Sequence, residues 1–136
     1  MTIEAHAFRN LNNLKIVVLA KSMLVSVPNR LLKGKSTIVE LSFFWNKLKS
    51  IDEIIFRDLL ALTKLDVNQN EIEVVHENAF ENLSNLLQLD LKRNKIGALD
   101  KNLFRNLKTL KKLSISENLL TVIEAELFYN LPSYRV

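Results

Sequence analysis

The sequence repeats itself every 24 residues, and this period constrains the fold more than any other feature. Eight columns recur in register, beginning with Leu14, Ile38, Leu62, Leu86 and Leu110. Each unit contains an apolar-x-apolar segment, which alternates with period two and predicts a short strand with one buried face. No single unit can bury its own apolar face, so the period predicts a solenoid of stacked coils that stabilise one another.

The repeat boundaries predict one domain over residues 1–136. We expect a partial repeat at 1–13, full repeats at 14–37, 38–61, 62–85, 86–109 and 110–133, and the start of a further repeat at 134–136. Neither end carries a recognisable cap, which solenoids need in order to cover their open cores. The sequence is therefore expected to be an internal fragment of a longer protein. On its own it is expected to aggregate or dimerise.

Each unit reads L-x-x-L-x-L-x-x-N-x-L-x-x-I-x-x-x-x-F-x-x-L-x-x, which resembles the leucine-rich repeat family from end to end. Segments such as Asn78-Ala79-Phe80-Glu81-Asn82-Leu83 are similar to the typical 24-residue animal extracellular subclass, which includes Toll-like receptors and secreted immune proteins. The resemblance implies an α/β leucine-rich repeat solenoid, or horseshoe. Short parallel strands would form its concave face, and irregular or short helical turns would form its convex face.

Two columns are expected to hold the coils together. Amides of an asparagine column can bond backbone groups that would otherwise be buried and unpaired. This ladder comprises Asn46, Asn70, Asn94 and Asn118, with Ser22 in the first place. A spine of rings is predicted from Phe8, Phe56, Phe80, Phe104 and Phe128. Because Lys35 replaces a core leucine and Ser22 replaces the ladder asparagine, the convex side of the unit at 14–37 is expected to be looser.

The resemblance implies that ligands bind the concave face, through the residues that flank the buried strand positions. The candidate binding residues are Ile16, Val18, Ala20, Glu40, Ser42, Phe44, Trp45, Lys64, Asp66, Asn68, Gln88, Asp90 and Lys92. We expect one apolar surface patch from Ile16, Val18, Ala20, Phe44 and Trp45, and exposed apolar patches often mark partner contacts. Two alternatives remain: other parts of a longer protein cover this patch, or the patch has no role in binding.

Composition argues against an enzyme. Cysteine is absent, and the two histidines, His6 and His76, lie 70 residues apart. No nucleophile–base set, metal-ligand cluster or phosphate-binding glycine loop is therefore indicated, so no metal and no cofactor are expected. The net charge is +4. Residues 66–90 are acidic and residues 92–112 are basic. A solvated surface explains this segregation, and steering of an acidic partner or a sulfated glycan is the alternative. No aromatics alternate with these bases, so a nucleic-acid site is not expected.

The predicted function is non-catalytic recognition of a protein ligand or a microbial surface molecule. The resemblance implies a location in the extracellular space or at the cell surface, with the parent protein either secreted or anchored in the membrane. The sequence as given shows no signal peptide. Asn82-Leu83-Ser84 is a glycosylation sequon that agrees with this location. The alternatives are a regulatory or scaffold domain of an intracellular protein and a structural matrix protein.

Overall fold

Seven short strands organise the chain in the computed structural model, which describes residues 1–132. They are β1 (Ile16–Val18), β2 (Glu40–Ser42), β3 (Ser50–Ile51), β4 (Lys64–Asp66), β5 (Val74–Val75), β6 (Gln88–Asp90) and β7 (Lys112–Ser114). Strands β1, β2, β4, β6 and β7 form a parallel sheet in that order, and β3 pairs with β5 in a second parallel sheet. The prediction of a parallel-strand solenoid is confirmed.

The sheet register reproduces the period of the sequence. Val17 pairs with Leu41, Leu41 with Leu65, and the same offset of one unit continues to Leu113. These central residues are buried, whereas the residues on either side of them point away from the core. The period-two alternation therefore places one apolar column inward and two variable columns outward on what we call the sheet face.

Turns, not α-helices, make up the opposite side, which we call the turn face. Among residues 1–132 the only helix is one turn of 3-10 helix at Ala125–Phe128. Phe56, Phe80 and Phe104 stack beneath these turns with ring centroids 6.4 Å apart. Phe8 and Phe128 are half-buried and pack against the same core at its two ends. Leu32 occupies the phenylalanine column between Phe8 and Phe56, so the spine of rings is interrupted there.

The first full unit is packed as tightly as the others on its turn face. Leu31 and Leu32 are almost completely buried. Lys35 is only 8% exposed, and its ammonium group donates a hydrogen bond of 3.0 Å to the Leu11 carbonyl. The expectation of a looser convex side in the unit at 14–37 was therefore wrong. The aliphatic part of Lys35 fills the space of the missing leucine, and its ammonium group is hydrogen-bonded to a carbonyl.

The asparagine column forms a continuous ladder between coils. In each coil the amide nitrogen donates to one carbonyl of the preceding coil and to one of its own coil. Asn70 donates to Phe43 and Val67, with both distances 3.0 Å, and its Oδ1 accepts from the Leu48 N–H. Asn46, Asn94 and Asn118 repeat this arrangement. The ladder thus satisfies backbone groups where the chain leaves each strand.

A second set of side-chain links lies on the turn face and was not foreseen. The Asn82 amide donates to the Arg57 carbonyl, and the Asn106 amide donates to the Glu81 carbonyl, each over 2.9 Å. In the same column, Asp58 accepts from the Gly34 N–H at 2.8 Å. The signal was present in the sequence as the asparagine that follows the phenylalanine by two residues. In the sequence this asparagine indicated only the family, and its hydrogen bond to the preceding coil was not predicted.

The last described coil exposes part of its apolar column. Ile123 is 50% exposed although its column is buried in the interior units, where Ile51 and Val75 are covered. Leu119 and Val122 are also exposed. A core position is buried only when a coil stacks on each side, so the repeat pattern overstates burial at this end. The repeat predicted to begin at residue 134 lies outside the described residues.

Candidate binding surfaces

The sheet face presents two parallel rows of variable side chains. One row follows the first residue of each strand, from Ile16 through Glu40, Lys64 and Gln88 to Lys112; the other runs from Val18 through Ser42, Asp66 and Asp90 to Ser114. Ile16 and Val18 are 60% and 63% exposed. The face is therefore apolar at β1 and becomes polar and charged from β2 onward.

The polar side chains of the second row, Ser42, Asp66 and Asp90, form hydrogen bonds with the backbone just after the strands. The Asp66 carboxylate accepts the Asn68 N–H, and the Asp90 carboxylate accepts the Lys92 N–H, each at 2.9 Å. Ser42 does the same for Phe44 at 3.2 Å. These side chains close small turns that end the strands. Aspartate in this column thus serves the backbone first, and only its second oxygen is free for a ligand.

Burial raises the pKa of the Asp66 carboxyl above its ordinary value of 3.8. The Asn68 N–H bond opposes this rise, the negative charge of Asp90 adds to it, and Lys64 opposes it. Asp66 and Asp90 are cross-strand partners, so two like charges stand side by side on the sheet face. Lys64 and Lys112 line the same depression as the two aspartates, so charges of both signs meet in the middle of the sheet face.

Trp45 lies beside the sheet and not on it. Its ring lines a groove of about 420 Å³ with Lys21, Met23, Gln69 and Glu71; the remaining lining residues are Asn46, Lys47 and Asn70. These residues belong to the loops that follow the strands. We call this feature the lateral groove. The Lys21 ammonium sits 5.2 Å from the Trp45 ring centroid, which is within cation–π range.

Backbone conformation explains why Trp45 points sideways. Its φ is 56°, and the residues at the same place in every other coil also have positive φ: Lys21, Gln69, Arg93 and Glu117. None of them is glycine, although this left-handed region is unfavourable for other residues. The repeated turn before each ladder asparagine imposes the conformation. No residue type in the sequence announced it, so side-chain directions there were not predictable.

The apolar patch expected on the concave face is thus divided. Ile16 and Val18 lie on the sheet, whereas Trp45 lines the lateral groove. Phe44 is half-buried and meets the Trp45 ring edge to face, with centroids 6.3 Å apart. Ala20 is half-buried after β1. The two apolar surfaces are therefore adjacent but differently oriented.

The remaining candidates lie after the strands. Asn68 is half-buried, and its Oδ1 is buried without a hydrogen-bond partner among residues 1–132. Lys92 and Arg93 both pair with Glu117, at 3.6 Å and 2.8 Å. Lys95 and Lys49 approach Glu71. Lys92, Arg93 and Lys95 of the basic stretch at 92–112 thus lie near acids, so the charge segregation seen in the sequence is partly neutralised in space.

The sequon asparagine is exposed on the turn face. Its amide nitrogen, the atom to which a glycan would be attached, donates to the Arg57 carbonyl. A glycan at Asn82 requires that this bond rearrange.

Neither a metal centre nor a membrane span is visible in the described part of the chain. Residues 1–132 contain no cluster of three or more His, Cys, Asp or Glu side chains that would hold an ion. Within the same residues, no helix has the length and apolar character needed to cross a bilayer.

A family model described as a BspA type leucine rich repeat region matches residues 1–135 in six copies. The chain therefore belongs to the leucine-rich repeat family, as the repeat pattern indicated. This family and fold are typically non-catalytic binding modules. No curated protein sequence matches the chain.

Solved structures share the fold. A chain of the LRIM1/APL1C complex superposes with a TM-score of 0.89 at 19% identity, covering 97% of this chain and 25% of that one. The APL1 leucine-rich repeat domain gives 0.88 at 19% identity, covering 96% and 35%. A chain of the Drosophila Toll–Spatzle complex gives 0.77 at 22% identity, covering 93% and 20%. The sequence thus spans between a fifth and about a third of these proteins.

Proposed function

We propose that this chain is a segment of an extracellular or cell-surface leucine-rich repeat protein that recognises a protein partner. The sheet face at β1 and β2 and the adjoining lateral groove would form the contact. The observation that carries the proposal is the exposure of Ile16, Val18 and Trp45 on these two neighbouring surfaces. Large apolar side chains that are exposed together on an otherwise polar surface are typical of interfaces, and tryptophan is enriched at their energetic centres.

The scaffold suits such a role because it is rigid before the partner arrives. Sheet hydrogen bonds and the asparagine ladder hold the outward side chains in place, so little conformational entropy is lost on binding. The proteins with similar folds include members of the Toll–Spatzle and LRIM1/APL1C complexes, and the former is described as a hub of development and innate immunity in Drosophila. These likenesses favour a partner that is a protein and an extracellular setting.

A regulatory domain of an intracellular protein is the second candidate. The absence of cysteine from all 136 residues favours it, because disulfides are common in secreted proteins and rare in the cytosol. The sequon at Asn82 favours the extracellular reading. Expression of the chain behind a secretion signal, followed by digestion with a glycosidase, tests whether Asn82 accepts a glycan. A mobility shift that Asn82→Gln abolishes supports the extracellular proposal, and an unmodified secreted product argues against it.

Photo-crosslinking tests which face binds. Val18 on the sheet face and Val74 on β5 are both valines with 63% exposure, so they form a matched pair. A photoreactive residue at each position is irradiated in extracellular fluid from the source. The proposal predicts a discrete protein adduct from position 18, weakened by Trp45→Ala, and none from position 74. Identical adducts from both positions, or adducts that ignore Trp45→Ala, would contradict it.

A further inference from the structure

Basic side chains gather on the turn face of the first coils. His6, Arg9, Arg30, Lys33 and Lys35 line one surface depression of about 170 Å³ together with Ala5 and Leu31. We call these five residues the basic cluster. No carboxylate belongs to the lining. The first 35 residues contain six Lys and Arg side chains and a single acid, Glu4, an excess larger than the +4 of the whole chain.

The repeat geometry creates this concentration. Arg9, Lys33 and Arg57 are spaced by 24 residues, as are His6 and Arg30, so each set falls in one column of the turn face. Neighbouring coils are close on this face, where the stacked phenylalanine rings beneath the turns are 6.4 Å apart, so charges of the same column lie near one another. Arg57 shares a second depression with Arg30 and Lys33. The one acid in that lining is Asp58, whose Oδ2 already accepts the Gly34 N–H.

The cluster lacks counter-ions within the described residues. No carboxylate of residues 1–132 lies within 4.0 Å of Arg9, Arg30, Lys33 or Lys35. The later bases Lys92 and Arg93, in contrast, both pair with Glu117, and all ion pairs of the described residues lie between residues 49 and 117. Like charges held in register repel one another.

Lys35 carries the strongest argument for a ligand. It is 8% exposed, and within residues 1–132 its ammonium group donates a hydrogen bond only to the neutral Leu11 carbonyl. A buried cation without a counter-ion is costly, and the other repeats place a leucine in this column, as at Leu59 and Leu83, which are fully buried. The chain thus keeps a destabilising charge where an apolar residue would fit. A bound anion would supply the missing counter-charge.

We infer that the basic cluster is a binding site for a sulfated polysaccharide. Together with Arg57 in the adjoining depression, its charges extend across three successive coils, which matches a linear polymer that carries anions at intervals. Guanidinium groups form paired hydrogen bonds with tetrahedral oxyanions. The lining of the depression contains no aromatic ring on which a base would stack, and its one large apolar residue, Leu31, is buried and offers no anchor for a lipid chain. The site lies on the face opposite the proposed protein contact, so either proposal can fail alone.

Binding of the whole chain to heparin, at about 150 mM salt, tests the inference. The test variant is Arg30→Glu with Lys33→Glu. The control is Lys108→Glu with Lys111→Glu, which changes the net charge equally at two exposed lysines elsewhere on the solenoid. We expect the affinity to fall about tenfold or more in the test variant and less than about threefold in the control. Equal losses would overturn the inference, because they would show attraction by net charge alone.

Three further probes identify the chemistry of the ligand. Desulfated heparin is expected to bind far more weakly than heparin, and so are a single-stranded DNA oligonucleotide of equal charge and vesicles containing phosphatidylserine. If the oligonucleotide or the vesicles bind as tightly as heparin, or if desulfation has no effect, a sulfated polysaccharide is not the ligand.

Lys35→Leu separates a ligand-binding role from a structural one. The substitution restores the apolar column, so the melting temperature is expected to rise while the affinity for heparin falls severalfold. A rise in melting temperature with unchanged affinity would show that Lys35 plays no part in the site and would contradict the argument from its buried charge. Because this variant should fold better than the wild type, its loss of affinity cannot be assigned to misfolding.

Discussion

Replacing Asn70 with alanine should remove a large fraction of the stability of the chain. One buried backbone group, the Leu48 N–H, loses its partner, which it now bonds at 3.0 Å. The carbonyls of Phe43 and Val67 each lose one of two hydrogen bonds, because Asn46 and Asn94 also donate to them. A buried polar group left unpaired costs about 1–3 kcal/mol. Each carbonyl bond that is lost while a second donor remains costs about 0.5–1.5 kcal/mol, so with partial relaxation we expect a total loss of about 2–4 kcal/mol. Whole domains are stable by only about 5–15 kcal/mol.

Asn118 provides a matched control, because it makes the same three bonds over 2.9–3.1 Å. It differs in burial: Asn70 is 7% exposed, whereas Asn118 is half-buried in the last described coil. Asn118→Ala frees the Ile96 N–H and the Ile115 carbonyl, whereas the Leu91 carbonyl keeps its bond to Asn94. Because Asn118 is only half-buried, the freed groups can reach water, so we expect a loss of only about 1–2 kcal/mol. The comparison separates the effect of the number of hydrogen bonds on the free energy of unfolding from the cost of leaving backbone groups unpaired and away from water.

Urea unfolding measures both variants. Trp45 is the only tryptophan, so its fluorescence reports the second coil, and far-UV circular dichroism reports the whole solenoid. Coincident transitions by the two probes permit the free energy of unfolding to be extracted. A loss below about 1 kcal/mol for Asn70→Ala would refute the ladder as a source of stability. Equal losses at the two sites would refute the argument from burial.

Three other perturbations have definite expected outcomes. Gln69 has a φ of 60°, so Gln69→Gly should raise the free energy of unfolding by about 0.5 kcal/mol and Gln69→Val should lower it; equal effects in urea titration would contradict this. Because burial raises the pKa of Asp66 in the folded state, that carboxyl stabilises the fold most below pH 3.8 and this contribution is lost as pH rises through the raised pKa. Asp66→Asn should therefore raise the melting temperature at pH 7 and not at pH 3, and a gain independent of pH would be the contrary result. With Val122 and Ile123 exposed, light scattering should show dimers or larger species that Ile123→Lys diminishes, whereas a monodisperse wild-type monomer would refute this expectation.

The sequence by itself determined the coil. The spacing of Val17, Leu41 and Leu65 predicted the strands, their parallel order and their buried face, because apolar periodicity is a local property that each unit repeats. The ladder could be read from the asparagine column for the same reason. The candidate residues at Ile16 and Val18 followed from alternation along a strand, which fixes the direction of each side chain.

Only the tertiary structure decided how neighbouring coils combine. The left-handed backbone conformation that directs Trp45 into the lateral groove occurs at a position where no coil has a glycine or an asparagine, so no residue type in the sequence indicated it. The stacked coils impose this conformation. The basic cluster brings His6 and Arg9 together with Arg30 and Lys33, which follow them by 24 positions. No local sequence pattern indicates that these positions carry the same charge. The pairing of Lys92 and Arg93 with Glu117 arises in the same way. Electrostatic character depends on distances across coils, and those distances exist only once the solenoid has formed.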